Sequence, residues 1–224
     1  MLTVGKAVSA AEVAFMANLS DKEINRMVDE DVLPSALVVR DHGRRFAPLA
    51  APFATFYFRS SEELTRAARV RVIATLTERL LDRPDRDAFL FLRSRVTKAK
   101  FDWSVSYSDV TVFLATYVRE AAERAARVDQ AARHIVEDPE ILGGTPCFKG
   151  TRVPIANVLA ALDAGMSVVE LQASYPFLTQ ALLNDATVYA KARPRVGRPR
   201  RIAETLPGAQ LVRSKVVRPA RENA

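Results

Sequence analysis

Residues 138–192 constrain the fold most strongly, because turn-forming and helix-capping residues alternate there at short intervals. Gly143-Gly144 and Lys149-Gly150-Thr151 are turn signals on either side of a short run that can extend, at residues 146–148. Pro154 then lies where a helix would begin. Proline has no backbone N–H, and the N–H groups of the first helical turn have no partner within the helix, so no hydrogen bond is lost there. The pattern therefore predicts two turns around an extended piece, leading into a helix.

Three short helices are predicted to follow. The first ends at Gly165, which favours a glycine C-cap. The second starts at a capping box formed by Ser167 and Glu170, and the third at an N-cap, Thr179. Apolar residues recur at one-face helical spacing in each of them: Ile155, Val158, Leu159 and Leu162; Val168, Leu171 and Tyr175; Leu182, Leu183, Ala186 and Tyr189. Capped helices with tight turns indicate a helix-turn-helix module of about fifty residues.

This stretch resembles a small bacterial and archaeal domain family of unknown function with the pattern Gly-Gly-x-Pro-x-x-Lys-Gly-Thr-Arg-x-Pro. The matching residues are Gly143, Gly144, Pro146, Lys149, Gly150, Thr151, Arg152 and Pro154. The family's Gly-x-Ser and Tyr-Pro-x-Leu-Thr elements also match, at 165–167 and 175–179. The resemblance implies a VapB-type antitoxin paired with a PIN-like ribonuclease toxin of the VapC kind. In the longer members, to which this chain is similar, another DNA-binding-like domain precedes this one.

A phosphate-binding loop is the rival interpretation of residues 144–151, and the residue order argues against it. Such a loop needs Gly-Lys-Ser/Thr, whereas the chain has Lys149-Gly150-Thr151, and Pro146 removes a backbone donor. A turn and helix entry with solvated charges, without a contact role for Lys149 or Arg152, remains an open alternative.

The composition excludes several classes of function. Cys147 is the only cysteine, so neither an internal disulfide nor a cysteine-based metal cluster can form. The two histidines, His42 and His134, are far apart along the chain. No His, Cys or carboxylate constellation has catalytic spacing, so we expect no enzymatic activity, no cofactor and no metal. We find no apolar run of membrane-spanning length and no leader pattern, and expect a cytoplasmic protein without a membrane partner.

The net charge of +7 belongs to the C-terminal end. Residues 193–224 hold nine of the 33 basic residues and two of the 26 acidic ones, so residues 1–192 carry 24 of each. Prolines and arginines cannot build a core, so we expect a flexible basic tail that seeks polyanions.

Apolar residues interleave with the cations of this tail, which a segment that only binds DNA would not need. The resemblance implies that the tail wraps the toxin. Because guanidinium pairs bidentately with carboxylates, an arginine could neutralise an acidic Mg²⁺-binding active site. The predicted toxin-binding residues are Arg198, Arg200, Arg201, Leu211, Arg213, Val216 and Arg218, with Arg213 and Arg218 foremost. An AT-hook-like contact of residues 197–200 with the minor groove and a merely solubilising tail are the alternatives.

Residues 8–48 predict a second helix-turn-helix unit, with a wing. Ser9 can cap a first helix, the turn falls at Asn18-Leu19, and Ser20 with Glu23 forms the capping box of a second helix. A short hairpin then turns at residues 41–43. The arrangement of elements resembles the N-terminal domains of the MerR group, without a unique motif.

The polar face of that second helix and the hairpin are the predicted DNA-binding surface. A reading helix enters the major groove while a wing holds phosphate or the minor groove. The predicted DNA-binding residues are Lys22, Asn25, Arg26, Arg40, Arg44 and Arg45. A helical packing domain with a solvated basic hairpin is the alternative.

The middle of the chain yields four simpler predictions. Residues 50–59, rich in aromatics, are expected to be extended and buried, and Ser60 or Ser61 to cap a helix that ends near Asp82. Strict alternation over residues 101–108 predicts a half-buried strand. A long helix rich in small residues is expected from Asp109 to about Arg133, as a connector and a possible dimer element.

The predicted fold is therefore mainly α with small β elements (α+β). We expect a winged helix-turn-helix-like domain with a trailing helix at 1–82, a strand and connector helix at 83–135, a C-terminal helix-turn-helix antitoxin-family domain at 136–192, and the tail at 193–224. The expected function is a type II antitoxin that binds a PIN-like toxin and, as a homodimer, represses its operon by binding operator DNA. A stand-alone DNA-binding transcription regulator without a toxin is the alternative.

Overall fold

The structure, a computed structural model, describes residues 7–40, 43–93, 100–107 and 109–194, which lie within one compact unit. Its helices are α1 (Ala10–Ala17), α2 (Asp21–Asp29), α3 (Ala50–Arg59), α4 (Arg66–Leu81), α5 (Arg86–Leu90), α6 (Ala115–His134), α7 (Ile155–Asp163), α8 (Val168–Ser174) and α9 (Gln180–Ala192). Its strands are β1 (Val38–Val39), β2 (Arg45–Phe46), β3 (Ser104–Tyr107), β4 (Val110–Phe113), β5 (Ile135–Val136) and β6 (Cys147–Phe148). The strands pair antiparallel as β1–β2, β3–β4 and β5–β6. The prediction of a mainly α fold with small β elements is confirmed.

Local capping signals set the ends of several helices, as predicted. Ser9, Ser20 and Ser167 each accept a hydrogen bond from the backbone N–H three residues on, and the glutamate at that position bonds back to the serine N–H. Thr179 caps α9 by accepting from the N–H of Leu182. Each cap pairs backbone donors that the first helical turn cannot pair internally, which is why these boundaries are encoded in a few neighbouring residues.

The prediction that residues 50–59 are extended is wrong, because this segment is helix α3. All of α3 from Ala50 to Tyr57 is buried, so no polar face marked a helical period in the sequence. Pro52 falls in the first helical turn, where its missing N–H is harmless. A helix that is apolar all round cannot be told from a buried strand by periodicity alone.

Two further helix starts differ from the sequence prediction. Helix α4 begins after Thr65, whose hydroxyl accepts from Ala68 N–H, while the hydroxyl of Ser60 donates back to the carbonyl of Phe56 in α3. Residues 110–113 form strand β4 of a hairpin with β3, and α6 starts only after Leu114. The alternation that predicted a strand at 101–108 corresponds to β3, and in the second strand of the hairpin Phe113 is 69% exposed.

The apolar residues form two clusters, and α6 contributes to both. The first draws on residues 13–125 and includes α3 and the sole tryptophan, Trp103. The second draws on residues 131–189 and includes Ala131 of α6 and Ala186 and Tyr189 of α9. Helix α6 packs against α9, α3 and α1 of the same chain. Its small-residue face is therefore covered within the chain and is not available as a dimer surface.

A nearly buried ion pair ties the first helix to the last. Glu12 of α1, 6% exposed, accepts from Nε of Arg193 at 2.9 Å. The same carboxylate accepts from the N–H of Ser9 at 3.0 Å. One side chain therefore both caps α1 and binds the residue that follows α9. The pKa of Arg193 is raised: burial lowers it, but the hydrogen bonds with Tyr189 and Glu12 and the attraction of Glu12 outweigh that effect. The last helix is thereby fastened to the N-terminal unit.

None of the described helices combines the length and apolarity that crossing a membrane requires.

Candidate nucleic-acid interface

The N-terminal unit has the geometry of a helix-turn-helix. Asn18 ends α1 in a left-handed conformation (φ 56°, ψ 48°), and the N–H of Leu19 donates back to Ala14 O at 2.9 Å. Ser20 immediately caps α2, so three residues separate the two helices. Ile24, Met27 and Val28 of α2 are buried, as predicted. The opposite side of α2, with Lys22 and Arg26, is therefore left to solvent.

The hairpin β1–β2 forms the predicted wing. Val38 lies opposite Phe46 and Val39 opposite Arg45, and Val8 adds a bridge to the other side of Phe46 through hydrogen bonds of 2.9 Å. Phe46 is fully buried, which anchors the wing to the core. The predicted turn residues Asp41 and His42 lie outside the described residues.

The wing and α2 form one continuous surface through Arg44. Its Nη1 donates to Oδ1 of Asn25 at 3.2 Å and to the backbone carbonyl of Asn25 at 3.3 Å, while Nη2 pairs with Asp29. The hydrogen bond from Arg44 holds the pKa of Asp29 below its usual range. The wing and α2 are thus joined through Arg44 and Asn25, which are both among the predicted DNA-binding residues.

Most cations of this surface are matched by carboxylates. Arg26 donates from Nε to Glu30 at 2.6 Å, and Arg40 lies 3.4 Å from Asp31. The hydrogen bond from Arg26 lowers the pKa of Glu30. The acidic run at residues 29–31 was not among the predicted site residues, although it begins at the last residue of α2. Consequently the surface is polar and charge-compensated rather than simply basic.

The predicted DNA-binding residues all lie on α2 or on the wing, and they differ in exposure and in ion pairing. Lys22 and Arg45 are exposed and make no ion pair with any described residue. Arg26, Arg40 and Arg44 are ion-paired as above, and Asn25 is half-buried and bonded to Arg44.

The family motif serves mainly to build a tight junction between three elements. The backbone N–H of Lys149 donates to His134 O at the end of α6, and Ile155 N–H at the start of α7 donates to Pro146 O. Thr151 donates from Oγ1 to Phe148 O at 2.9 Å and accepts from Val153 N–H at 3.1 Å. These bonds give the motif a structural role.

Gly150 in this motif has φ +78°, a left-handed conformation that favours glycine. The side chains of Lys149 and Arg152 are exposed, and neither forms an ion pair within the described part of the chain. No hydrogen bond or ion pair with a described residue fixes the position of either side chain.

A second polar cluster lies where α6 meets α9. Nδ1 of His134 is 2.7 Å from Oδ2 of Asp185, which is 7% exposed, and Tyr189 donates to Glu137 at 2.8 Å. Burial and the hydrogen bond with Glu137 raise the pKa of Tyr189. Among the described residues, no group of three or more His, Cys, Asp or Glu is arranged to hold a metal ion. The His134–Asp185 pair joins α6 to α9, and the Tyr189–Glu137 pair joins α9 to the segment after β5.

The predicted toxin-binding residues cannot be placed in this geometry. Arg198, Arg200, Arg201, Leu211, Arg213, Val216 and Arg218 all lie outside the described residues. The described chain ends at Pro194, one residue after the ion pair of Arg193 with Glu12.

Comparison with known proteins identifies the C-terminal part and one relative. The model of a family described as "Protein of unknown function (DUF433)" matches residues 135–190. The chain is 34% identical over 212 residues to an uncharacterized protein, y4eO, of Sinorhizobium fredii (strain NBRC 101917 / NGR234), covering 95% of this chain and 92% of that protein. No solved structure matches the chain. The protein therefore belongs to the same family as y4eO and carries a DUF433 domain at residues 135–190.

Proposed function

We propose that this protein is the antitoxin of a type II toxin-antitoxin system, of the VapB type. Its MerR-like N-terminal unit would bind operator DNA, and its basic C-terminal segment would block a PIN-like ribonuclease toxin of the VapC kind. The observation that supports the DNA-binding half is the bond between Arg44 and Asn25, because it puts the wing and the outer side of α2 on one surface. The toxin-binding half rests on the family resemblance and on the sequence of residues 193–224.

The outer side of α2 offers side chains suited to reading bases. Lys22, Asn25 and Arg26 lie three and four positions apart and so share a side of the helix. In the major groove, asparagine bonds bidentately to adenine, and arginine or lysine to guanine; Asn25 would do so by exchanging the two hydrogen bonds that its amide makes within the chain. On the wing, Arg45 is exposed and can contact a phosphate. Helix and wing together match the contacts of a winged reader.

The ion pairs on this surface do not oppose the proposal. Exposed ion pairs are weak because water screens them, so Arg44 can exchange Asp29 for a phosphate at small cost. The carboxylates at 29–31 would repel the backbone of arbitrary DNA. Binding would then depend more on base contacts of α2 than on charge, which suits a repressor of a single operator.

Operator recognition also implies a pair of readers. Helix-turn-helix proteins bind two half-sites about one helical turn apart, so a dimer is expected to occupy a symmetric operator. Because α6 is covered within the chain, we expect the dimer to use another surface. The proposal includes the homodimer, which light scattering of the purified chain would test.

The basic segment complements the proposed toxin in charge. Residues 195–224 contain eight basic residues and two acidic ones, with apolar residues such as Leu211 and Val216 between them. An arginine that enters a cluster of active-site carboxylates displaces the Mg²⁺ they would bind. Arg213 and Arg218, each flanked by apolar residues, fit that role best.

Co-expression with the product of the adjacent reading frame tests the proposal. The full chain should co-purify with that product and suppress its ribonuclease activity. A chain ending at Pro194, which keeps the bond of Arg193 to Glu12, should do neither. In the full chain, R213E and R218E should weaken the complex by at least tenfold, whereas the matched reversal R133E on α6 should not. A complex that is indifferent to the segment would refute its inhibitory role.

A stand-alone DNA-binding regulator is the second candidate. It is favoured by the α2–wing surface, whose predicted DNA-binding residues all lie within residues 22–45. If no complex forms and the full chain still shifts its own promoter, with loss on Asn25→Ala, the protein is a regulator without a toxin. If it binds neither promoter nor neighbouring product, both candidates fail.

A further inference from the structure

We infer that a cationic concavity between α1, α6 and α9 is a second contact site for the phosphate backbone of duplex DNA. The inference rests on the proposed DNA-binding function and goes beyond it. It assigns part of the DNA contact to α6 and to the last helix of the DUF433 domain, neither of which belongs to the helix-turn-helix unit.

The concavity is a built feature with a volume of about 390 Å³. Arg124 and Arg127 from α6 and Lys191 from α9 supply three cations to its lining, against one carboxylate of the lining, Asp21, and the carboxylate that pairs with Arg124. The α2–wing surface has the opposite character, since its arginines are matched by the acidic run at 29–31. On this side of the molecule, the concavity is therefore the place where an approaching anion meets net positive charge.

The three cations are positioned in different ways. Arg124 is braced, with Nη1 donating to Met16 O at 2.8 Å and Nη2 to Glu120 at 3.2 Å, and its side chain is 24% exposed. Arg127 and Lys191 are exposed and form no ion pair with any residue that the structure describes. A fixed guanidinium beside two unpaired cations is an arrangement that holds a phosphate without breaking existing ion pairs.

The location fits DNA rather than a free anion. Asn18 and Leu19, which form the turn between α1 and α2, also line the concavity. When a recognition helix lies in the major groove, its N-terminal end faces the bases and the neighbouring parts of the protein face the flanking backbone. Cations from α6 and α9 at this turn would therefore meet phosphates beside the groove that α2 occupies.

Charge excludes the chain's own C-terminal segment as the occupant. Eight basic residues follow Pro194 in the sequence, so this segment carries the same sign as the concavity. A polyanion such as DNA is attracted by both.

The test measures binding of a labelled duplex from the chain's own promoter by fluorescence anisotropy at several salt concentrations, with full-length protein. Each lost phosphate contact lowers the slope of log K against log salt by about 0.9, which corresponds to about an eightfold weaker binding at 0.1 M salt. R127Q with K191Q should therefore lower the slope by about 1.8. The matched control R133Q, on the same helix but outside the lining, should lower it by less than about 0.3.

The α2 variant Asn25→Ala separates this inference from the proposed function, because it should reduce the preference for promoter over scrambled duplex and leave the salt slope unchanged. If Asn25→Ala abolishes that preference while R127Q with K191Q behaves like R133Q, the inference is overturned and the proposed function stands. If wild-type protein binds no duplex, both fall. If the double variant loses binding of an acidic peptide but not of DNA, the concavity is a protein-docking surface and the inference is wrong.

Discussion

The ion pair between Glu12 and Arg193 is expected to couple the stability of the N-terminal unit to that of the C-terminal domain. Glu12 lies in α1 and its side chain is 8% exposed, whereas Arg193 follows α9 and is 40% exposed. The perturbation is a double-mutant cycle of E12Q, R193M and the two combined. Glutamine retains an oxygen that can accept from the N–H of Ser9, so the cap of α1 is largely preserved while the charge is removed.

The magnitude follows from the burial of the two partners. Removing one partner of a fully buried pair costs about 3–5 kcal/mol, and exposed pairs are worth about 0–1 kcal/mol. This pair lies between those limits, because water reaches the arginine but scarcely the glutamate. We expect a coupling free energy of about 1.5 kcal/mol. For a urea m-value of about 2.5 kcal/mol/M, this corresponds to a midpoint shift of about 0.6 M.

Urea unfolding followed by two probes measures this coupling. Fluorescence of Trp103 reports on the first apolar cluster, and circular dichroism at 222 nm reports on all helices. The pair Arg26–Glu30, examined by the same cycle, provides the matched control and should give a clearly smaller coupling free energy, because water screens it. A coupling for Glu12–Arg193 no larger than that control would refute the reasoning. It would mean that apolar packing alone holds α1 to α9.

Three further outcomes are expected. Gly150→Ala should lower the free energy of unfolding by about 1 kcal/mol, because φ is +78° while space for a methyl group is open; Gly150→Asn should cost less in the same urea titration. Ala186→Leu should cost about 1–3 kcal/mol in calorimetry, since this fully buried position of α9 has no room for three more carbons. The hydroxyl and the backbone N–H of Ser167 lower the pKa of Glu170, so its contribution to stability is complete above the unfolded pKa of about 4.3 and is lost as pH falls through the folded pKa. Carboxyl NMR titration should show this low midpoint, and Ser167→Ala should raise it; an unchanged midpoint in that variant would contradict the cap as its cause.

Elements defined by short-range signals could be predicted from the sequence. The starts of α1, α2, α8 and α9 each depend on a Ser or Thr whose hydroxyl bonds to a backbone N–H three residues away. Such interactions are complete within one helical turn, so they do not require knowledge of the fold. The wing was predictable for a similar reason, because a turn signal at residues 41–43 separates two short segments that can extend.

Elements defined by their surroundings could not be predicted. Helix α3 is buried on all sides, so its period is hidden, and the start of α6 is displaced by a hairpin that depends on packing against α4. The candidate site shows the same division. The faces of α2 and the wing followed from the sequence, but the pairing of Arg44 with Asp29 and the meeting of Arg127 with Lys191 depend on tertiary contacts between distant segments.

Helix α6 contributes to both apolar clusters, which bears on how the DUF433 domain can occur in other chains. The family match begins at residue 135, just after α6 ends at His134, yet α9 inside the match packs along α6. The domain therefore borrows a helix from outside its own boundary to close its core around Ala186 and Tyr189. A chain made of this domain alone would expose the side of α9 that α6 covers here. Here the apolar side of α9 is covered within one chain. In a chain without α6, the same exposed side would favour oligomerisation.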